Sequence, residues 1–466
     1  MGKPIEQKHQ VRPNVRTQLM RALDLDTAGK VDEADTLYRA ILDVDPTNFA
    51  ALNRRAVLAG QRGELVEALR LIQAAAGARP EVGEIASDMG VILERMGRFD
   101  EAMSSYDRAL ALRPDLPVAH NGRGLGLSLK GRYEEAIAAF TRAIEINPAY
   151  AEAHFHRALA LLVTGRFAQG WEEYEWRWAA TKTKGMRPSF PFPEWNGEPL
   201  EGKGIYLYVE QGYGDAIMFA RYAPMVAARG GTVLFCVRPA MKDLLAGLPD
   251  VQVGVEGDSG PRCHYVCPLL SLPRIFKTDL ASIPAQVPYI HAAPERIVKW
   301  QARIPRDGRL NVGLVWAGGR DFAGDRQRTI GLAPMLPLLG DPRVRYVSLH
   351  AELRQDDAAL VAQHPEIVHF GSELADFADT AALIARLDLV ISVDSAVAHL
   401  AGAMAKPMWL LLPYNPDFRW LLGREDSPWY PTARLFRQLA AGDWPGVIAR
   451  VRDALAAPAQ SRSSED

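Results

Sequence analysis

The chain has 466 residues, with 54 Lys and Arg against 56 Asp and Glu for a formal net charge of −2, and 48% of its residues are hydrophobic. That length suits two to four domains and that apolar fraction gives each of them a core. The near-neutral balance and the lack of any dense Lys/Arg run exclude nucleic acid and an anionic membrane surface as partners.

The opening MGKPIEQKHQ has no apolar h-region, and no uninterrupted apolar run reaches the roughly 18 residues of a membrane span. A cytoplasmic protein with no integral membrane segment is expected. Cys236, Cys263 and Cys267 are too few for a disulfide framework, and only His264 accompanies the Cys-x-x-x-Cys pair, so buried thiols are expected and no metal site.

From the N-terminus the sequence repeats. Gly29, Gly63, Gly97, Gly131 and Gly165 stand 34 residues apart, and Pro46, Pro80, Pro114 and Pro148 keep the same period. Each unit reads as a helix, a Gly turn, a second helix and a Pro stop. Phe99, Ala102, Tyr106, Ala109 and Leu110 follow helical spacing, and Tyr133, Ala136, Phe140, Ala143 and Ile144 repeat it one period later. These residues resemble tetratricopeptide repeats over about residues 15–178, roughly four and a half repeats. Such a solenoid exposes a groove that takes extended peptide or protein. Asn53, Ser87 and Asn121 occupy equivalent positions and form a candidate polar column along it, broken at Phe155; solvated helix-surface residues are the alternative reading.

The last half-repeat ends in GWEEYEWRW, where Trp171, Tyr174 and Trp178 share one helical face. So aromatic a face is expected to be covered by the following domain. Residues 181–203, rich in Pro and Gly, read as a linker.

Beyond it, short β-branched or aromatic runs alternate with helical ones. GIYLYV (204–209), TVLFCV (232–237), VQVGV (251–255) and HYVCPLL (264–270) are strand candidates of a first half. LNVGLVWAG (310–318), VRYVSLH (344–350), EIVHF (366–370), LVISVD (389–394) and PMWLLL (407–412) are those of a second. DAIMFARYAPMVAARG (215–230), DTAALIARLD (379–388) and SAVAHLAGAMA (395–405) are helical. The alternation predicts parallel, doubly wound sheets. The expected organisation is a tail (1–14), a solenoid (15–180), the linker, two Rossmann-like domains (204–305 and 306–456) and a C-terminal tail (457–466).

The first strand runs into EQGYGD (210–215), which places backbone N–H groups and a helix N-terminus at the mouth of a sheet. A dinucleotide fingerprint would need glycine at position 217, where Ile217 stands. Asp215 is badly placed for a phosphate and well placed to accept a proton; capping of the following helix is the other reading. In the second half, Asp394 and Ser395 open a helix whose free N–H groups suit an anion, and the loop GGRDFAGDRQRTI (318–330) brings Arg320, Arg326 and Arg328 from another strand end. His399, one turn in, either orients a phosphate or sugar hydroxyl or satisfies a backbone carbonyl. Tyr414, Asn415, Asp417 and Trp420 either shape a sugar or acceptor site or pack between domains.

EQGYGD and VDSAVAHLAGAMAKP (393–407), in this order about 180 residues apart, resemble the heptosyltransferase-like glycosyltransferases of family 9, and with the repeats the whole chain is similar to bacterial proteins that fuse tetratricopeptide repeats to such a domain. The resemblance implies a GT-B fold after the solenoid. It implies Asp215 as catalytic base, and Asp394, Ser395, Ala396 and His399 with Arg326 or Arg328 as donor-binding residues. Gln211, Gly212 and Gly214 would border the acceptor side, with Asn53 and Asn121 in the peptide groove. Ala396 replaces the family's usual glycine and the basic loop has no Lys-x-Trp, so heptose is not implied as the sugar. The expected activity is metal-independent, inverting transfer from a nucleotide-sugar co-substrate, without a further cofactor, to a protein Ser/Thr recruited by the repeats. The alternative is a non-catalytic interaction protein whose second half senses a nucleotide sugar or is a relic.

Overall fold

The structure, a computed structural model, describes residues 14–180, 187–258, 260–319 and 328–457. The chain divides into two compact units, residues 1–157 and 158–466, with the division inside the helix Ala151–Val163.

In the first unit the 34-residue period becomes helix pairs: Val15–Thr27 with Val31–Val44, Phe49–Gln61 with Leu65–Ala78, Gly83–Arg95 with Phe99–Leu112, and Pro117–Leu129 with Tyr133–Ile146. The turn chemistry explains the period. Gly29, Gly63, Gly97 and Gly131 lie at φ between +71° and +83°, the left-handed region that only glycine enters without strain. After each, the next N–H reaches back to close the helix end, as in Arg98 N–H to Leu93 O at 2.9 Å and Arg132 N–H to Leu127 O at 2.9 Å. The second helix of each pair stops one residue before an extended residue, Asp45, Arg79, Arg113 or Asn147, because the proline that follows excludes the helical conformation there. Between pairs, alanines and glycines let helices approach an aromatic ring. A Cβ on Gly90 or Gly122 would collide with the buried ring of Tyr106, and one on Gly124 with that of Phe140.

The second unit begins with the end of the repeats, the helix Phe167–Tyr174 and a 3₁₀ turn over Glu175–Trp178. Two parallel sheets follow. The first holds β1 (Gly204–Tyr208), β2 (Thr232–Cys236), β3 (Val251–Gly254) and β4 (Cys263–Pro268) in the order 3-2-1-4. The second holds β5 (Leu310–Val315), β6 (Val344–Ser348), β7 (Ile367–His369), β8 (Leu389–Val393), β9 (Met408–Leu412) and β10 (Ala433–Arg437) in the order 10-9-8-5-6-7. Every ladder is parallel, and the second order is that of a doubly wound Rossmann sheet. An α-solenoid followed by α/β sheets of Rossmann type is the architecture that the periodicities predict.

Two local expectations fail. The predicted helix 215–230 is interrupted: Tyr213–Phe219 gives way to a 3₁₀ turn at Ala220–Tyr222 before Ala223–Ala227, because Pro224 has no N–H to continue the ladder. Strand β10 is absent from the sequence reading, since ARLFR carries two arginines in five residues, as an edge strand tolerates.

The aromatic face of the last half-repeat is covered within this unit. Trp171 meets Phe418 and Phe219 edge-on at centroid distances of 5.6 and 6.2 Å, and Tyr174 meets Phe418 at 6.0 Å. Below them Arg177 is buried and bonds Glu175 (2.8 Å), Glu210 (3.1 Å) and Ser271 (2.9 Å).

Candidate active site

In an open parallel sheet a ligand crevice forms past the strand C-termini where the winding reverses, here beyond β1 and β4 in one sheet and β5 and β8 in the other. Three of the segments singled out from sequence leave these points: Gln211–Asp215 after β1, the loop around Arg328 after β5, and Asp394–Ser395 after β8. They converge. Gly214 lies so close to the His399 ring that a Cβ there would come within 2.8 Å of it, and Tyr213 packs on Phe377 at 5.0 Å.

Asp215 occupies the third position of helix Tyr213–Phe219, and its Oδ2 accepts from the Gly212 N–H at 2.9 Å. The capping reading is therefore realised by one oxygen. The other oxygen, Oδ1, is ion-paired with the guanidinium of Arg419. Gln211 donates to the Tyr174 hydroxyl at 2.9 Å. Burial and the charge of Asp215 push that phenol up to about 12, against the pull of Arg419 and Arg177. Glu210, also next to the strand end, is pushed up to about 7, because burial outweighs the charge of Arg177.

Ser395 caps the helix Ala396–Ala403: its Oγ accepts from the Ala398 N–H at 3.2 Å and shares a hydrogen bond with Ser392 Oγ at 3.0 Å. Ala396 and Val397 keep the first turn partly open. His399 is buried; its Nδ1 bonds the Tyr430 hydroxyl at 3.0 Å, its Nε2 stands 3.8 Å from Asp394 Oδ1, and its ring stacks on Trp420 at 5.2 Å. The reading in which His399 satisfies a backbone carbonyl gives way to this side-chain contact. Burial, with the charges of Arg419, Arg221 and Arg328, holds the imidazole well below its usual range, so it is neutral. Asp394 is pushed up to about 6 by burial and by Asp417, while Arg328 and Arg419 pull it back.

The loop after β5 is closed at its base by Ile330 N–H to Trp316 O (3.0 Å) and Gly318 N–H to Thr329 Oγ1 (3.2 Å). That closure brings Arg328 within electrostatic reach of Asp394 and His399. Arg320 and Arg326 lie outside the described residues.

Sequence reasoning missed the residue that ties the crevice together. Asp417 and Trp420 were singled out, yet Arg419 between them is the buried cation: Nη1 bonds Asp417 at 2.7 Å, Nη2 meets Asp215, and the group stacks over Phe418 at 4.3 Å. Arg221 was missed as well. Buried without a carboxylate contact among its described hydrogen bonds, it donates to the carbonyls of Met218 (2.9 Å), Pro284 (2.8 Å) and Trp429 (3.0 Å) and to the Tyr289 hydroxyl (2.9 Å). An arginine inside an aromatic run, as in FRW and ARY, was the available signal.

The candidate column in the first unit is not an open polar strip. Ser87 and Asn121 are buried, Asn121 Oδ1 meets His156 Nδ1 at 2.9 Å, and Asn53 Nδ2 donates to Asp88 at 2.9 Å. Neighbouring repeats engage the Asn53 Nδ2 and Asn121 Oδ1 atoms, because side chains one period and one residue apart face each other across adjacent helices. The cysteines are free thiols, Cys263 and Cys267 buried, and His264 Nδ1 accepts from the Gly204 N–H at 3.1 Å. Among the described residues no helix is long and apolar enough to cross a membrane.

Comparison with known proteins assigns both parts. Tetratricopeptide-repeat models match residues 19–83, 83–116 and 128–165, and the model of glycosyltransferase family 9 (heptosyltransferase) matches residues 360–414, which contain β8, Asp394–Ser395 and His399. The chain thus carries tetratricopeptide repeats and, toward its C-terminus, a domain of the family 9 glycosyltransferase type. Among curated proteins it is similar to Protein FlbA of Caulobacter vibrioides, 28% identical over 314 residues, 62% of this chain and 52% of that one. The chain spans about half the length of that relative. Similar solved structures include PilW, a widely conserved type IV pilus biogenesis factor (21% identity, 36% of this chain and 80% of that one, TM-score 0.33), and YrrB, a TPR protein with an unusual peptide-binding site (18%, 37% and 89%, TM-score 0.29).

Proposed function

We propose that the second unit is a GT-B glycosyltransferase that moves a sugar from a nucleotide-sugar donor to an acceptor hydroxyl, with inversion and without a metal. The observation that carries this reading is the convergence of Asp215 from one sheet with Asp394, Ser395 and His399 from the other, the latter inside the family 9 match.

The chemistry needs stabilisation of a leaving diphosphate and a base for the attacking hydroxyl. The open first turn at Ala396–Val397 and the cations Arg328 and Arg419 supply positive potential for the first need. The neutral imidazole of His399, held by Tyr430, orients rather than charges the site. Asp215 supplies the second need: the acceptor O–H proton passes to its carboxylate as the oxygen bonds the anomeric carbon, and the broken carbon–oxygen bond leaves its electron pair on the diphosphate. The acceptor is a protein Ser/Thr, such as that of flagellin or another surface protein, recruited along the repeats, whose stacked helices offer an extended surface for polypeptide.

The test is calorimetric titration with UDP-, GDP-, ADP- and CMP-sugars, followed by mass analysis of a co-expressed acceptor. Asp215→Ala should still bind the donor, no more weakly than wild type, and lose modification by about 10²–10⁴ in rate. Donor affinity and modification both unchanged in that variant would remove Asp215 from the chemistry.

A further inference from the structure

Both oxygens of Asp215 are engaged by the protein itself, Oδ2 by the Gly212 N–H and Oδ1 by Arg419. Each oxygen keeps a second lone pair, but Oδ1 shares its charge with the guanidinium, which stands where an acceptor hydroxyl would approach it. Arg419, conversely, is not saturated: with Nη1 on Asp417 and Nη2 on Asp215, its buried Nε–H has no hydrogen-bond partner among the described residues. A guanidinium presents its donors as a planar fork suited to two oxygens of a phosphate.

The segment that carries Arg419 is held rigidly. Arg437 donates to the carbonyls of Trp420 (2.5 Å), Leu421 (2.9 Å) and Arg424 (2.8 Å), and Leu421 sits at φ +53°, a conformation costly for a branched side chain. Phe418 and Phe219 flank the guanidinium at 4.3 and 5.7 Å. The cation therefore stays at the crevice while its partners change. Its charge reaches Asp394 and His399 at the candidate donor helix as well as Asp215 on the opposite side.

We propose that Arg419 is a counter-ion handed from Asp215 to the donor's diphosphate, so that donor arrival unlocks the base. The inference rests on the donor reading above and adds to it an order of events: without donor, Asp215 is masked; with donor, Arg419 turns its fork to the phosphate oxygens and the carboxylate becomes free for the acceptor hydroxyl. No covalent step is involved, only exchange of one ion-pair partner for another. The arrangement also makes the site idle when no donor is bound.

Because the cation is shared, Asp215 and the diphosphate compete for it, and the competition is reciprocal. The experiment is a double-mutant cycle read by calorimetry on the full chain, with inorganic pyrophosphate, UDP and GDP as probes. Asp215→Asn should bind the probe about five-fold or more tightly than wild type, and Arg419→Gln about ten-fold or more weakly. In the Arg419→Gln background the gain from Asp215→Asn should vanish. A gain that persists there is simple removal of a negative charge and overturns the proposal. Arg419→Lys, which keeps the charge but not the fork, should bind the probe weakly yet retain coupling to Asp215; wild-type affinity without coupling overturns it. If Arg419→Gln does not fold, Arg419→Met takes its place in the cycle, and Asp215→Asn still tests the proposal by itself, since unchanged affinity in that variant is incompatible with competition. Wild-type protein that binds none of the probes removes the donor reading and this inference together; wild-type binding with Arg419→Gln unaffected removes this inference only.

Discussion

The two units solve the problem of burying polar groups in opposite ways. In the repeats, polar side chains find partners within about one period of sequence: Arg98 pairs with Glu101 three residues on, Arg55 with Asp35 twenty residues back, and Asn53 with Asp88, Asn121 with His156 and Arg95 with the Gly60 carbonyl one period and one residue away. In the α/β unit the partners come from anywhere: Asp215 meets Arg419, Arg177 meets Ser271, and Arg221 meets the carbonyls of Pro284 and Trp429. Local rules build a surface; a chemical site needs charges brought together by topology and held against their desolvation cost.

The difference predicts where single changes are felt most. Arg221→Met should be the largest effect on stability, because it leaves the carbonyls of Met218, Trp429 and the half-buried Pro284 and the Tyr289 hydroxyl without this donor. At about 1 kcal/mol for each lost partner the cost is about 3–4 kcal/mol. All ten tryptophans lie beyond residue 157, so tryptophan fluorescence in a denaturant titration reads this unit alone. A loss under about 1 kcal/mol would mean that water replaces the guanidinium and that the network is looser than its geometry implies.

Next in size is a pH effect at Glu210. Its folded pKa of about 7 lies above the ordinary carboxylic value of 4.5, because burial outweighs Arg177. The folded state therefore binds the proton more tightly than the unfolded chain. Its contribution to stability is full below about pH 4.5 and is lost as pH rises through about 7, an effect of about 3 kcal/mol at most. Glu210→Gln should flatten that slope between pH 5 and pH 8, again read by tryptophan fluorescence. An unchanged slope would assign the pH response to another group.

The same contrast explains what could be read from the sequence. Nine of the ten strands among the described residues and the helix pairs were legible, because a period of two, a period of 3.6 and a 34-residue ruler each leave a mark on consecutive residues. Asp215, Asp394, Ser395 and His399 stood out because each follows a strand end, where a polar residue interrupts an apolar run. Arg419 and Arg221 did not, since their aromatic neighbours hint only at a buried arginine and say nothing of a carboxylate or carbonyl about 200 residues away. Strand β10 was hidden by its arginines, and the helix break at Pro224 was overridden in the reading by the apolar periodicity around it.

The repeats allow the comparison to be sharpened within one residue type. Gly97 recurs with the period and is fixed by backbone conformation, whereas Gly122, whose counterparts one period away are Asp88 and His156, is fixed by space. Gly122 is in a regular helix, and a methyl group there would collide with the Tyr106 ring, so Gly122→Ala sets a helix-propensity gain of about 1 kcal/mol against an overpacking cost of about 1–3 kcal/mol. Gly97 has nothing within 4 Å of a Cβ but sits at φ +76°, so Gly97→Ala costs only the left-handed penalty, about 1 kcal/mol. Amide exchange over residues 83–146 reads both. The two net losses should be of similar size, about 1 kcal/mol, but in Gly122→Ala the loss should spread to the helix Phe99–Leu112, which carries Tyr106, and in Gly97→Ala it should stay at the turn. A loss in Gly122→Ala that leaves the helix Phe99–Leu112 untouched would mean that Tyr106 relocates cheaply and that the repeats are fixed by their turns more than by their packing.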